Sequence, residues 1–355
     1  MKRYLTILSF GMLGLGVSSR GQDIHFSQFY ENSILRNPAL TGIFSGEYKA
    51  GIDYRNQWSS VGVPYTTVMA SAETRVLVNR VIGDYISFGL VATYDKAGTI
   101  DFTSQQVYPS ISYNKALEDQ HNTYLSVGFT GGYITRNVDM SKMTFSSQYI
   151  NNGFSGTNPT GENAVFKSKN NFDIGAGVSL NGSLDLNNKV NYYLGASLYH
   201  INSPSMAFAG SDANVKEPMK WQYSGGLHFT LTEQFGLTFH MNYSQQQPYN
   251  EWIGGALFTW HALQPGLPSI FSFSAGVFYR YQDAIIPTFK LEYKNLAFGY
   301  SYDVTNSSLA SGPASGAASS ELTLYVKGKY NHKKDPRDPV MCPRFEGDDA
   351  YPFHN

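Results

Sequence analysis

Phe172-Asp173-Ile174-Gly175-Ala176-Gly177-Val178-Ser179-Leu180-Asn181 puts an apolar side chain at every even position and a glycine or polar side chain at every odd one. A period of two belongs to a β-strand whose faces meet different surroundings; a helix of 3.6 residues per turn cannot sort residues this way. The same pattern recurs in Phe235, Leu237, Phe239, Met241 and Tyr243, and again in Phe271, Phe273, Ala275, Val277 and Tyr279. Comparable or weaker alternation covers 46–55, 65–77, 84–95, 101–114, 122–136, 190–201, 220–231, 250–260, 285–293, 294–303 and 320–329, for about fourteen strands in all. Each is near the roughly 9–11 residues that a tilted membrane strand needs, and the number is even. Helical spacing is scarce, its best candidate being the short stretch Phe29 to Leu35.

Composition narrows the class. The 355 residues carry 26 Lys and Arg against 27 Asp and Glu, a net charge of -1. Such a balance leaves no electrostatic footprint for sequence-blind nucleic-acid binding. Only 15% of residues are charged, while 15% are aromatic and 34 are glycine; soluble domains average about 25% charged. The single cysteine, Cys342, excludes an intrachain disulfide and a cysteine-cluster metal site. Lys2 and Arg3 precede a mostly apolar stretch from Tyr4 to Val17 and then Ser19, Arg20 and Gly21, which predicts a cleaved secretory signal over 1–21 and a mature chain from Gln22. No later run of 18 apolar residues exists, so a membrane-embedded mature chain must be a closed β-barrel.

Alternation alone does not say whether the apolar face meets a core or lipid. In a soluble sandwich it points inward; in a membrane barrel it points at acyl chains. Lipid is favoured by the signal, the number of strands, and Tyr or Trp near strand ends, as at Tyr48, Trp58, Tyr94, Trp221, Trp252 and Trp260. Connection lengths agree. With the N-terminus in the periplasm, the odd connections face outward, and the longest, near 137–170, 304–319 and 202–219, are all odd. The even ones include minimal turns at Thr232-Glu233 and Lys294-Asn295, although 261–269 is a longish even connection and 282–284 a short odd one.

Three blocks follow the signal: His25-Phe26-Ser27-Gln28-Phe29-Tyr30, Asn37-Pro38-Ala39-Leu40-Thr41-Gly42, and Tyr54-Arg55-Asn56-Gln57-Trp58. Their succession resembles the PorP/SprF family of type IX secretion and gliding-motility outer-membrane proteins of Bacteroidetes. The resemblance extends over nearly the whole mature chain, with Cys342, Pro343, Arg344 and Phe345 in a tail similar to that of the family. It implies an all-β, transmembrane antiparallel barrel in the outer membrane that works with type IX translocon components. The barrel would assist export or surface anchoring of a secreted protein or adhesin, without enzymatic activity. The alternative is a diffusion porin or hydrophobic-ligand channel. Low charge and many lumen-side Gly, Ser and Thr favour a narrow, filled interior instead.

These readings divide the chain into a signal (1–21), an N-terminal periplasmic plug segment (22–45), a barrel (46–330) and a periplasmic C-terminal tail (331–355). His25, Phe26, Phe29, Tyr30, Asn37 and Pro38 are expected to pack into or across the periplasmic mouth, because so many aromatics before the first strand cannot float in water. Asn37-Pro38 marks a turn there, with Gly42 and Gly46 as punctuation. Arg55 and Trp58 are expected at the outer rim, Arg55 satisfying loop carbonyls. Met140, Met143, Phe145, Tyr149, Phe154 and Phe166 punctuate an Asn-, Ser- and Gly-rich outer loop; its composition suits a solvated loop and equally a surface offering aromatic anchors to a partner. Cys342, Arg344 and Phe345 lie in a candidate docking arm, Cys342 lacking a nearby base that would make it a nucleophile. The histidines are dispersed, no catalytic constellation stands out, and neither a metal, a cofactor nor a small-molecule substrate is expected.

Overall fold

The computed structural model describes residues 23–58, 63–79, 82–118, 121–139, 142–150, 153–160, 168–206, 216–262, 270–306 and 318–330. The proposed signal and tail, including Cys342, Arg344 and Phe345, lie outside the described residues, as do Met140 and Phe166. No described helix is long and apolar enough to cross a membrane.

Fourteen antiparallel strands close into a barrel. They are β1 (Tyr48–Gln57), β2 (Tyr65–Asn79), β3 (Asp84–Ala97), β4 (Phe102–Glu118), β5 (Thr123–Asn137), β8 (Lys169–Ser183), β9 (Val190–Tyr199), β10 (Lys220–Thr230), β11 (Phe235–Gln246), β12 (Tyr249–His261), β13 (Phe271–Arg280), β14 (Ala284–Tyr293), β15 (Leu296–Thr305) and β16 (Ala318–Gly328). Two short strands, β6 (Tyr149–Ile150) and β7 (Gly153–Phe154), form a separate hairpin in the β5–β8 connection. Each barrel strand pairs with its sequence neighbours, and β1 pairs with β16 from Tyr48↔Gly328 to Gln57↔Ser319, so no edge is left unpaired. The strands run from 10 to 17 residues. The wall from β2 to β8 therefore stands taller than the 9–11 residues expected from sequence, rising beyond the span of the bilayer core.

The alternation resolves in one direction. Phe172, Ile174 and Val178 are exposed, Phe172 to 73%, while Asp173, Ser179 and Asn181 between them are buried. Outward Phe239 and Met241 on β11, Val277 on β13 and Phe298 on β15 continue the apolar surface. The polar alternates face the lumen. Charges follow the same logic: in a barrel wrapped in lipid the interior is where an ion can find a partner. This low-charge chain consequently concentrates Lys49, Asp53, Arg55, Glu73, Arg75, Arg136, Asp173, Arg280, Asp303 and Glu321 on inward positions.

Before β1 the chain makes a 3₁₀ turn (Phe29–Glu31), one turn of α-helix (Ser33–Arg36) and a second 3₁₀ turn (Pro38–Leu40). The helical spacing read over Phe29 to Leu35 thus falls on real but minimal turns. Asn37 caps the last one, its side chain accepting from the Ala39 N–H at 2.9 Å, with Pro38 at the first position where a missing N–H costs nothing. Gly42 and Gly46 adopt φ of 80° and 112°, conformations that L side chains resist, and release the chain into β1.

Candidate functional site in the barrel lumen

Helical turns this short leave most of their carbonyls without internal partners, so the wall must supply donors. It does so strand by strand. Gln222 Nε2 donates to the Leu35 carbonyl at 3.0 Å, Ser197 Oγ to that of Arg36 at 2.8 Å, Ser179 Oγ to that of Ala39 at 3.2 Å, and the Tyr199 hydroxyl to that of Ile34. Asn37 reverses the traffic: its Nδ2 donates to the carbonyls of Val178 and Ala196 at 3.0 and 3.3 Å. Wall glycines make room for this approach. A Cβ at Gly128 would overlap the backbone of Pro38 and Ala39, and one at Gly177 or Gly195 would meet the Asn37 amide. Gly128→Val is expected to push residues 37–40 off the wall while the barrel still forms. The check is limited trypsin digestion of the folded protein, which should then cut after Arg36; continued resistance of that bond would contradict the packing.

Three apolar clusters anchor the segment, the smallest being Leu40 and Ile43 against Tyr193. Phe26 and Ile34 pack with Met69, Val91, Tyr108 and Ile134 of β2 to β5. Phe29 packs with Ile253, Leu257, Phe278 and Ile286 across the lumen, edge-on to Phe278 at 5.8 Å, while Tyr30 stacks on His240 at 4.8 Å and on Phe278 at 5.2 Å. Residues 24–45 therefore occupy the interior itself.

The polar half of the first block meets an ion cluster. Ser27 and Gln28 donate their backbone N–H groups to the two oxygens of Glu321, at 2.7 and 2.8 Å, and Ser27 Oγ bonds Asp303. Arg55 reaches Asp303 at 2.9 Å and Glu321 at 3.0 Å and also donates to Ser27 Oγ; Arg280 joins with 3.0 Å to Asp303. Arg55 is 1% exposed. This corrects the expectation that it satisfies loop carbonyls at the rim: barrel closure sets Arg55 directly opposite Glu321, and the buried carboxylates capture it. Trp58 does stand at that end of β1, partly exposed and edge-on to Tyr65 at 5.1 Å.

A second cluster holds the start of the segment. Asp23 lies 3.2 Å from Lys220 and 3.6 Å from His200 Nε2, and His200 Nδ1 is 3.0 Å from Asp173. Arg136 pairs with Glu217 at 2.8 Å beside them. Asp23, His200 and Glu217 bring one ligand atom each within 4.8 Å of one another. Lys220 and Arg136 already neutralise two of those carboxylates, so the group is an ion cluster compensated from within. Burial pulls the His200 pKa down, but Asp173, Asp23 and Glu217 outweigh it and lift it to about 10. Unfolded, the ring loses its proton near 6.5, so its stabilising contribution is complete below about pH 6.5 and is lost as pH rises towards 10. Unfolding midpoints between pH 7 and 10 should fall more steeply in the native chain than in His200→Gln; parallel profiles would refute the assignment. His25 behaves oppositely: burial lowers its pKa to about 4, which keeps the ring neutral.

Lys220, Gln246, Arg55, Asp303 and Arg280 all lie toward the barrel end of the odd connections, the end that carries the three longest. Asp23 to Gln28 therefore begin at the long-loop end, and the segment then descends to β1 at the short-turn end, where Glu31 meets Lys49 at 3.1 Å and Lys290 at 2.8 Å. Packing at the mouth beside the short turns, as expected from sequence, describes only its lower half. Charge partners at the far end draw the rest upward. Sequence reading missed Ser27, Gln28, Arg36, Asp173, His200, Glu217, Arg280, Asp303 and Glu321 as site residues. Among the strand residues the available signal was parity, since Asp173, Asp303 and Glu321 each interrupt a small or polar run on the inward face.

In the outer connection, Tyr149 and Phe154 face each other as the β6–β7 pair and are both more than half exposed, while Met143 and Phe145 are half-buried.

A closed fourteen-strand barrel with an apolar exterior and a polar, occupied interior defines an outer-membrane β-barrel protein. Residues 18–325 match the family of type IX secretion system membrane proteins PorP/SprF, and the chain belongs to that family. The protein is thus associated with type IX secretion and resides in the outer membrane. Comparison with curated proteins gave no match. Among solved structures, it is similar to the Ralstonia pickettii toluene transporter TbuX (TM-score 0.48, 11% identity, 83% of this chain and 93% of that one). It is also similar to the CymD monoaromatic hydrocarbon channel (0.49, 13%, 85% and 94%) and to a Pseudomonas aeruginosa FadL homologue (0.48, 9%, 81% and 91%).

Proposed function

We propose that the protein is a filled barrel that binds other proteins at the outer membrane, assisting export or surface anchoring of a secreted protein or adhesin together with translocon components. The observation that carries this reading is the occupation of the lumen by residues 24–45, on top of membership in a type IX secretion family. An open diffusion path needs a continuous water column, whereas here the interior is spanned by apolar and ion clusters. The long connections are placed on the cell exterior in this reading, with the Tyr149–Phe154 hairpin as a surface for partner contact. Affinity purification from the native envelope followed by peptide identification should recover translocon subunits and a secreted protein, and recovery should drop when Tyr149 and Phe154 are both changed to Ser. A barrel that purifies alone and conducts as a large, steady ohmic pore would favour transport instead.

A further inference from the structure

The lumen is not filled to its brim at the long-loop end. Between the first residues of the N-terminal segment and strands β10 to β12, a cavity opens to solvent. Its lining is mixed, with Arg36 and the amides of Asn32, Gln222 and Asn242 beside apolar Phe29 and Leu35.

Arg36 sets this cavity apart. It is only 8% exposed, and among the described residues it has no carboxylate partner. By contrast Lys49, Arg55, Arg136, Lys220, Arg280 and Lys290 each lie within 3.2 Å of a carboxylate oxygen. Arg36 Nη1 donates to the Tyr193 hydroxyl at 2.5 Å, and the guanidinium lies 5.0 Å from the Tyr193 ring and 5.9 Å from that of Phe29. Those rings attract the cation but leave Nε without a hydrogen-bond partner. Two more buried atoms of lining residues also lack partners, the donor Asn32 Nδ2 and the acceptor Asn242 Oδ1. Asp23 and Glu251 line the same space and pair with Lys220 at 3.2 Å and with Arg280 at 3.3 Å, Arg280 being shared with Asp303. Arg36 is thus a lining cation with no carboxylate of its own among the described residues, and two further lining residues hold an unused amide donor and an unused amide acceptor. Buried polar groups and charges are otherwise paired in folded proteins.

We propose that this cavity takes the free carboxylate of a peptide segment entering from the long-loop end. Arg36 binds the carboxylate, and Asn32 and Asn242 bind the adjoining peptide group. Asn32 Nδ2 and Asn242 Oδ1 offer one donor and one acceptor, a pair that a peptide group completes and that the alkyl chain of a fatty acid leaves unused; phosphate, which keeps a P–OH at neutral pH, is distinguished by its ability to displace the peptide. The inference deepens the reading of the barrel as a holder of secreted protein, and rests on it.

The test uses the purified full-length barrel in detergent micelles. A pool of N-acetylated random hexapeptides is offered with free C-terminal acids and, separately, as C-terminal amides; retention is measured by equilibrium dialysis. The acid pool should be retained about tenfold over the amide pool, the scale of one charge-assisted hydrogen-bonded pair. That preference should vanish in Arg36→Gln and weaken in Asn242→Leu, each shown to be folded by its heat-dependent gel mobility. Equal retention of both pools, or an unchanged preference in folded Arg36→Gln, overturns the proposal. Displacement of the peptides by equimolar laurate or inorganic phosphate would also overturn it, reassigning the cavity to a lipid acid or a free anion. Recovery of translocon components without any acid preference would remove this site and leave the broader role standing.

Discussion

Deleting residues 23–44 is expected to turn a barrel with a filled interior into a steady ohmic pore. The segment supplies Phe26, Phe29, Tyr30 and Ile34 to the lumen's apolar clusters and blocks the cross-section between β2–β5 and β12–β14. The wall itself closes through β1 and β16 without the segment, so strand pairing can survive its loss. What remains is a fourteen-strand cylinder whose inward Gly, Ser and Thr side chains are too short to meet across it. Planar-bilayer recordings should move from no resolvable steady conductance to defined, salt-proportional steps. The truncated barrel should also unfold at lower temperature, because Met69, Phe278 and Ile286 then face water. A current trace and a melting profile identical to those of the intact chain would show that the segment does not seal the lumen.

The second large effect is expected at Arg55. Removing a guanidinium that bridges Asp303, Glu321 and Ser27 leaves buried carboxylates facing each other with only Arg280 to share. Breaking a buried pair on one side costs about 3–5 kcal/mol, mostly through the charge left behind. Arg55→Met should therefore lower the denaturant midpoint sharply in lipid vesicles. Adding Glu321→Gln should recover a large part of the loss, since the orphaned charge goes with it. Recovery stays incomplete because the Ser27 and Gln28 N–H groups bond different carboxylate oxygens, and glutamine keeps only one of them as an acceptor. If the double variant is no more stable than Arg55→Met, the cluster does not behave as a charge-coupled unit.

Both expectations trace to interactions between residues remote in sequence, and that is where legibility in the sequence runs out. The strands were readable because each carries its own period-two record: 65–77, 84–95 and 271–280 correspond to β2, β3 and β13 within two residues or fewer. Lipid on one side and a polar lumen on the other impose that record locally, residue by residue. The N-terminal aromatics were readable as needing burial, since exposed Phe26 and Phe29 would be costly. Where they are buried was not readable, because nothing in Phe29-Tyr30 names Phe278 or His240 as the surface to stack on. Low overall charge favours a filled interior over a porin, without saying where the few charges would sit. The structure gathers many of them in the lumen, which composition could not tell, because it counts charges without saying that lipid excludes them from the outside.

The amino-acid sequence by itself determined an exported, even-stranded antiparallel barrel with an apolar outer face and a segment too greasy to stay outside it, since alternation, turn residues and strand length are written in neighbouring positions. Only the tertiary structure decided that this segment starts at the long-loop end and descends through the lumen, that Arg55 stands across from Glu321, and that Arg36 has no carboxylate partner among the described residues. Those outcomes depend on closure, which joins β1 to β16 and brings together ions as far as 266 positions apart. Opposite charges buried in a common space find each other by distance in three dimensions, a quantity that local pattern does not contain.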